Sequence, residues 1–243
     1  MIEQTAQDSN VYAAILAGGS GKRMGNPDKP KQFLMLGSKP IIVHTVEKFY
    51  AAHAFQKIVV LSPRVWIQQT HDLIRRYAPE CLPFVDVVAG GNTRNDTVRN
   101  AIDYISSNYP VDDETIIVTH DAVRPFVSHR ILMDNIDAAR TYGSCDTVIS
   151  ASDTIVVSND GKFINQIPVR QNEYQGQTPQ SFNLLKLQQY MQTLTHEEEA
   201  ALTDACKIFV IRGEKVALVR GEVSNMKITY PQDLRVAQAM VGE

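Results

Sequence analysis

An apolar run, Val11-Tyr12-Ala13-Ala14-Ile15-Leu16, empties into Ala17-Gly18-Gly19-Ser20-Gly21-Lys22-Arg23-Met24 and then Pro30-Lys31-Gln32. Glycines let a backbone approach an anion and turn its N–H groups towards it, and Lys22, Arg23 and Lys31 place three positive charges within fifteen residues of Ala17. The combination suits a polyphosphate. A Walker A loop is excluded, because Arg23 stands where Ser or Thr would hold magnesium. The dinucleotide fingerprint fails at Met24, which replaces its third glycine.

Further polar groups follow other apolar runs. Gly90-Gly91-Asn92-Thr93-Arg94-Asn95-Asp96-Thr97 comes after Phe84–Val88, and His120-Asp121-Ala122-Val123-Arg124-Pro125 after Ile116–Val118. Asp121 is a carboxylate suited to a magnesium that bridges phosphate oxygens, or to an ion pair with Arg124 that shapes the turn before Pro125. His120 lacks a second histidine at ligand spacing and reads as a packing or hydrogen-bonding residue. Arg170, Gln177-Thr178-Pro179-Gln180 and Asn225-Met226-Lys227 add charge and hydrogen bonds from segments that read as irregular. No Ser-His-Asp spacing, HExxH helix or GxSxG elbow is present, so the dense features match phosphoryl or nucleotidyl transfer.

To bring such groups together, the chain needs strands that end at one edge. Apolar runs at Val11–Leu16, Lys57–Leu61, Phe84–Val88, Thr115–Thr119 and Thr147–Ser150 alternate with helical spacing over Leu34–Tyr50, Val65–Tyr77, Thr93–Ile105 and Ser128–Tyr142. Unbroken apolar strands belong to a sheet covered on both faces, which predicts an α/β, mostly parallel, three-layer sandwich. In such sheets ligands sit outside the carboxyl ends of the strands, where the polar groups fall. After Ala151 the rhythm changes: Asp153–Val157 and Lys162–Ile164 flank Ser158-Asn159-Asp160-Gly161, predicting a hairpin arm that packs either on its own sheet or on a second subunit. Thr195 to Glu198 reads as a capping box before a short helix towards Cys206, Lys207–Ile211 and Val216–Val219 as short strands, and Pro231 as the start of a final helix.

With 243 residues and 44% hydrophobic content, one domain spanning 1–243 is expected, with the arm at about 152–172. A net charge of −3 argues against broad nucleic-acid binding, and no apolar stretch approaches a membrane span. The polar start lacks the pattern of a secretion or transit signal, so a cytoplasmic protein is expected. Cys81, Cys145 and Cys206 are unpaired in spacing and read as reduced, partly buried residues.

Taken in order, the segments at 16–24, 30–32, 90–98, 120–125, 177–180 and 225–227 resemble the cytidylyltransferases for small sugar-alcohol phosphates, over nearly the whole chain. That resemblance implies a Rossmann-like nucleotidyltransferase fold and a homodimer joined by the arm. It implies that Leu16, Ala17, Gly18, Gly19, Ser20, Gly21, Gly91, Asn92, Thr97 and Asp121 hold CTP, with Asp121 on Mg2+. Arg23, Lys31 and Lys227 would stabilise the transition state, and Arg124, Arg170 and Thr178 would hold the acceptor, Arg170 across the dimer. The group includes methylerythritol-phosphate and ribitol-5-phosphate enzymes. The stretches 175–182, 203–209 and 119–126 look more like the ribitol branch. The methylerythritol branch usually shows Ala where this chain has Val123, and an acidic residue where it has Ser224. The expected reaction is CTP plus D-ribitol 5-phosphate giving CDP-ribitol and pyrophosphate, in teichoic-acid or capsule synthesis, with methylerythritol 4-phosphate as the alternative acceptor and a CTP sensor as the non-enzyme alternative.

Overall fold

The computed structural model describes residues 10–19, 24, 30–202 and 204–242. Elements follow in the order β1 (Val11–Leu16), β2 (Met35–Leu36), β3 (Lys39–Pro40), α1 (Ile41–Ala51), β4 (Lys57–Ser62), α2 (Ile67–Tyr77), β5 (Val85–Ala89), α3 (Arg94–Asn108), β6 (Ile116–Asp121) and α4 (His129–Tyr142). The second half adds β7 (Ser144–Ser150), β8 (Tyr174–Asn183), α5 (Leu184–Gln192), α6 (His196–Ala200), α7 (Cys206–Ile211), β9 (Ala217–Arg220) and α8 (Pro231–Met240).

Seven strands form one sheet in the order β5-β4-β1-β6-β8-β7-β9. Neighbours from β5 to β6 run parallel, β8 lies antiparallel between β6 and β7, and β9 runs parallel to β7. Tyr12 to Ile15 are fully buried, because alternate side chains of β1 feed two cores. On one face α1, α2 and α4 contribute Val46, Phe49, Ile74 and Ile136; on the other α3, α5 and α7 contribute Ile102, Ile105, Leu187 and Phe209. The expected three-layer α/β sandwich is therefore present. A smaller cluster of Leu36, Ile41, Val123, Ile228 and Ala237 seats α8 against β2 and the turn that follows β6.

Several local readings are corrected. The helix expected from Leu34 starts at Ile41, because β2 and β3 first close a tight turn at Gly37, whose φ is 58°, and Pro40 precedes the first turn. Lys207–Ile211, expected as a strand, belongs to α7: Asp204 Oδ1 accepts the Lys207 N–H at 3.1 Å, and Ile208 and Phe209 bury together on one side. The helix opening at the Thr195 capping box ends at Ala200, short of Cys206. The segment 177–180, read as irregular, lies inside β8.

The arm is present without its two strands. Between β7 and β8 it keeps one bridge, Val157 with Gln166, and a turn in which Asp160 Oδ1 accepts from the Lys162 and Phe163 N–H groups at 2.9 and 3.0 Å. A two-stranded ribbon that buries nothing is marginal, and Phe163, Ile164, Ile167 and Val169 are all exposed. The three cysteines are free and buried, Cys81 and Cys145 completely, rather than partly so. No helix among the described residues is long and apolar enough to cross a membrane.

Candidate active site

At the carboxyl ends of β1, β5 and β6 lies a cavity of about 290 Å³. Of the residues singled out from sequence, Leu16, Ala17, Gly18, Gly19, Lys31, Gly91, Asn92, Thr97, Asp121 and Lys227 line it together. Ser20, Gly21 and Arg23 lie outside the described residues. Arg124, Arg170 and Thr178 are not among its lining residues.

The loop after β1 is anchored at its first residue. The Ala17 N–H donates to Leu61 O at 2.9 Å, and Gln32 Nε2 donates to Ala17 O at 2.6 Å. Among the described residues, a methyl group at Gly18 or Gly19 would meet only ordinary contacts, with Thr97 Oγ1 at 3.7 Å and Lys31 Cε at 3.8 Å. Lys31, buried in the short turn Lys31–Phe33, donates from Nζ to Ile228 O at 3.0 Å and joins this loop to the segment carrying Lys227.

Across the cavity, α3 opens with a reciprocal cap: Thr93 Oγ1 accepts the Asp96 N–H at 3.1 Å and Asp96 Oδ2 accepts the Thr93 N–H at 3.0 Å. Thr97 Oγ1 accepts the Gly91 N–H at 3.1 Å and donates to Thr93 O at 2.8 Å, so its hydroxyl braces the glycine turn. Gly91 has no space for a side chain, since a Cβ there would lie 2.1 Å from Asp96 Cβ and 2.6 Å from its carbonyl carbon. Gly91→Ala must displace the turn from the helix start, a strain of roughly 1–3 kcal/mol. Calorimetric titration with CTP is expected to show at least a tenfold loss of affinity, and unchanged binding would mean that the turn does not touch nucleotide.

Asp121 sits at the floor. Its Oδ1 accepts from Arg94 Nη1 at 2.6 Å, Lys227 Nζ stands 2.8 Å from Oδ2, and Arg124 Nε 3.5 Å from Oδ2. Burial pushes its carboxyl up, but the Arg94, Lys227 and Arg124 charges outweigh burial and hold it well below the usual carboxylate range. Asp121 is therefore ionised; it forms the expected pair with Arg124, and it also faces the cavity. The sequence alone gives Arg94 no role, because nothing local ties position 94 to position 121.

Beneath this lies a chain of buried hydrogen bonds. His120 Nε2 donates to Arg124 O at 3.0 Å, its Nδ1 accepts from the Thr178 hydroxyl at 3.0 Å, and Thr178 Oγ1 accepts the Asp121 N–H at 3.1 Å. Burial lowers the His120 pKa to about 4, so the ring is neutral, as this pattern requires. His120 is thus a hydrogen-bonding core residue, as its sequence setting implied. Thr178 braces the Asp121 backbone, and Arg124 donates from Nη1 to Asn225 O at 2.8 Å. Asn225 Nδ2 in turn donates to Gln177 Oε1 at 3.1 Å and Thr178 O at 2.8 Å, which fixes the loop that presents Lys227. Arg170 stands apart on the exposed arm, donating to Ser152 O at 3.3 Å.

No group of three or more His, Cys, Asp or Glu side chains suited to a metal ion occurs among the described residues. A lone hard carboxylate beside a phosphate-sized cavity does fit magnesium, which keeps water and substrate phosphate oxygens as most of its ligands.

A glycine loop, a capped helix start and a cation-ringed carboxylate at the carboxyl edge of this sheet define a nucleotidyltransferase-like α/β protein. The family model for IspD, 2-C-methyl-D-erythritol 4-phosphate cytidylyltransferase, matches residues 11–243, and the chain belongs to that cytidylyltransferase family. Among solved structures, it is similar to the Francisella tularensis 2-C-methyl-D-erythritol 4-phosphate cytidylyltransferase (26% identity, 95% of this chain and 99% of that one, TM-score 0.78). The 4-diphosphocytidyl-2C-methyl-D-erythritol synthase of Anaerococcus prevotii shares its fold at 24% identity, over 97% of this chain and 99% of that one, with TM-score 0.78.

Proposed function

We propose that this chain transfers a cytidylyl group from CTP to the phosphate of a small sugar alcohol, releasing pyrophosphate. The observation that carries this reading is Asp121 held ionised among Arg94, Lys227 and Arg124 on the floor of a cavity rimmed by glycines. CTP would lie along Leu16 to Gly21, with Gly91, Asn92 and Thr97 on its other side. Asp121 would hold Mg2+, which supplies charge neutralisation to the triphosphate. The acceptor phosphate is already an anion, so the chain needs no general base; it must align the acceptor with the α-phosphorus and offset the charge gathering there. Arg23, Lys31 and Lys227 would do the latter.

Methylerythritol 4-phosphate is the acceptor that the family model and the solved relatives name, and they support it over ribitol 5-phosphate. Ribitol 5-phosphate, the acceptor expected from the sequence, becomes the second reading, carried by two residues: Val123, which lines the cavity where the methylerythritol branch usually has Ala, and Ser224, where that branch usually has an acid. Incubation of the protein with CTP, Mg2+ and each acceptor separately, read as pyrophosphate release, decides between them. Silence with both would leave a nucleotide-binding protein without turnover.

The arm supports a homodimer, since Phe163, Ile164, Ile167 and Val169 expose apolar surface far from the chain's own core. In that arrangement Arg170 would serve the acceptor phosphate of the partner's site, and Arg124 and Thr178 would act from behind Asp121. Sedimentation should show a dimer that Phe163→Asp with Ile164→Asp converts to monomer with loss of activity. A monomeric parent protein would remove the arm from this role.

A further inference from the structure

The segment that follows β6 and the segment that leads to Lys227 lie side by side in opposite directions, joined by cross-links. The Ile228 N–H donates to Val123 O at 2.9 Å, and Arg124 Nη1 donates to Asn225 O at 2.8 Å. Further along, Ser128 Oγ donates to Glu222 Oε1 at 2.8 Å, and Arg130 Nη2 donates to Arg220 O and to Glu222 Oε1, both at 2.9 Å. As positions rise from 123 to 130 on one segment, their partners fall from 228 to 220 on the other. The Asp121–Lys227 ion pair closes the same ladder at the cavity, with Lys227 Nζ 2.8 Å from Asp121 Oδ2.

Asp121 and Arg124 belong to the charged cluster of the site, but Ser128, Arg130 and Glu222 do not, and none of these three lines its cavity. Ser128 caps α4, accepting the Ile131 N–H at 3.4 Å, and Arg130 stands in the first turn of that helix. The Lys227 side chain is 38% exposed and carries a flexible four-carbon stem, so its own burial does not hold the ammonium in place. Its backbone must do so. That backbone leaves a bend, 222–225, closed by the Asn225 N–H on Glu222 O at 3.0 Å and bare on its outer side, where Val223 is 82% exposed. From the sheet side Gln177 grips the peptide groups of Glu222, its Nε2 donating to Glu222 O at 2.9 Å and its Oε1 accepting the Glu222 N–H at 3.4 Å. A grip on one residue leaves the bend free to turn about it, and the Glu222 carboxylate, reaching to α4, is the second attachment that fixes its direction. Burial raises that carboxyl, but the Ser128 hydroxyl and the Arg130 guanidinium outweigh burial and hold it below its ordinary value.

We infer that Glu222, tied to Ser128 and Arg130, is a positioning residue for Lys227: it pins the bend 222–225 to the start of α4 and thereby holds the Lys227 ammonium on Asp121. The inference rests on the proposed cytidylyl transfer only for its consequence, a slower chemical step when the pin is lost.

The place of Lys227 is readable without turnover. Limited acetylation of the full chain with acetic anhydride, followed by mass spectrometry, gives the labelling rate at Lys227, with Lys57, paired with Asp86 at 3.3 Å on β4, as internal reference. An ammonium held against a carboxylate labels slowly. Glu222→Ala and Arg130→Met should each raise the Lys227 rate several-fold and leave Lys57 unchanged, whereas Glu222→Gln, whose Oε1 still accepts from Ser128 and Arg130, should restore the parent rate. In steady-state pyrophosphate release the same two variants should lower kcat about tenfold with KM for CTP unchanged, since a small misplacement of a charged group suffices for such a loss. In a Lys227→Met background they should cost nothing further, because their effect runs through the residue already removed. Lys227 labelling that is unchanged in both variants or rises no more than that of Lys57, or an equal loss of kcat with and without Lys227, overturns the inference and leaves the cluster a structural cap on α4. A parent protein silent with both acceptors would end the transfer reading alone, and the labelling would still decide this one.

Discussion

Alanine at position 31 is expected to lower turnover about a hundredfold or more with the fold intact. Lys31 is buried in the turn Lys31–Phe33, and its Nζ reaches Ile228 O at 3.0 Å, so its ammonium is fixed rather than sampling solvent. A preorganised cation at a phosphate site acts on charge that appears during transfer, and loss of one such contact commonly costs ~3–4 kcal/mol in activation free energy. The structural penalty is smaller. Ile228 O loses one donor, about 1 kcal/mol, and Phe33 and Gln32 keep the turn in place through the core and Ala17 O. Steady-state pyrophosphate release and thermal melting by circular dichroism separate the two effects. A folded Lys31→Ala protein with near-normal turnover would remove Lys31 from the transition-state role, and a large fall in melting temperature would make it a structural residue first.

The parallel half of the sheet was legible because β1, β4, β5 and β6 each carry an apolar run that the two cores require, broken in β5 by Asp86 and followed in β6 by Thr-His-Asp. Ser128, Thr195 and Pro231 marked helix starts by local chemistry, which survives any tertiary setting. β8 escaped notice because Tyr-Gln-Gly-Gln-Thr-Pro-Gln-Ser-Phe-Asn has neither an apolar run nor freedom from Gly and Pro. It is a central strand held by polar contacts: Thr119 Oγ1 donates to Gln180 O at 3.1 Å, and Ser181 Oγ to Asn135 Oδ1 at 3.2 Å. Such partners lie tens of residues away and leave no period to read. The ambiguous Ile-Phe-Val-Ile of α7 failed for the opposite reason, since a short apolar run suits helix and strand alike.

The site divides in the same way. Asp121, Lys31 and Lys227 follow strand ends or stand beside unusual glycines, so position and residue type pointed to them. Arg94 could be assigned only once α3 was seen to lay its first residue over the end of β6. Three of the acceptor and catalytic assignments, Thr178, Arg124 and Lys227, turn out to be linked through Asn225 and the Asp121 backbone. A substitution at any of them therefore acts on the carboxylate as well as on a ligand.

The carboxylate itself gives the second large effect: Asp121→Asn should both silence the site and destabilise the protein by about 3 kcal/mol, since removing one partner of a buried ion cluster leaves the others uncompensated. For a chain of this size that is a fall of roughly 6–12 °C in melting temperature. Two further measurements tie the loss to Arg94, Lys227 and Arg124. Because the folded-state carboxyl lies below its unfolded value, its stabilisation is fully present above the unfolded range near ~4 and is lost as pH falls through the lower folded value. The gap between parent and Asp121→Asn should accordingly be widest near neutrality and narrow below about pH 4. Pyrophosphate, an anion that can pair with the three cations, should raise the melting temperature of Asp121→Asn more than that of the parent, because a ligand that binds the folded state stabilises it by an amount that grows with the logarithm of its concentration relative to Kd. A variant that melts with the parent at pH 7, or that gains no more from pyrophosphate, would mean that the cations around Asp121 find other partners, and the electrostatic account of the site would fail with it.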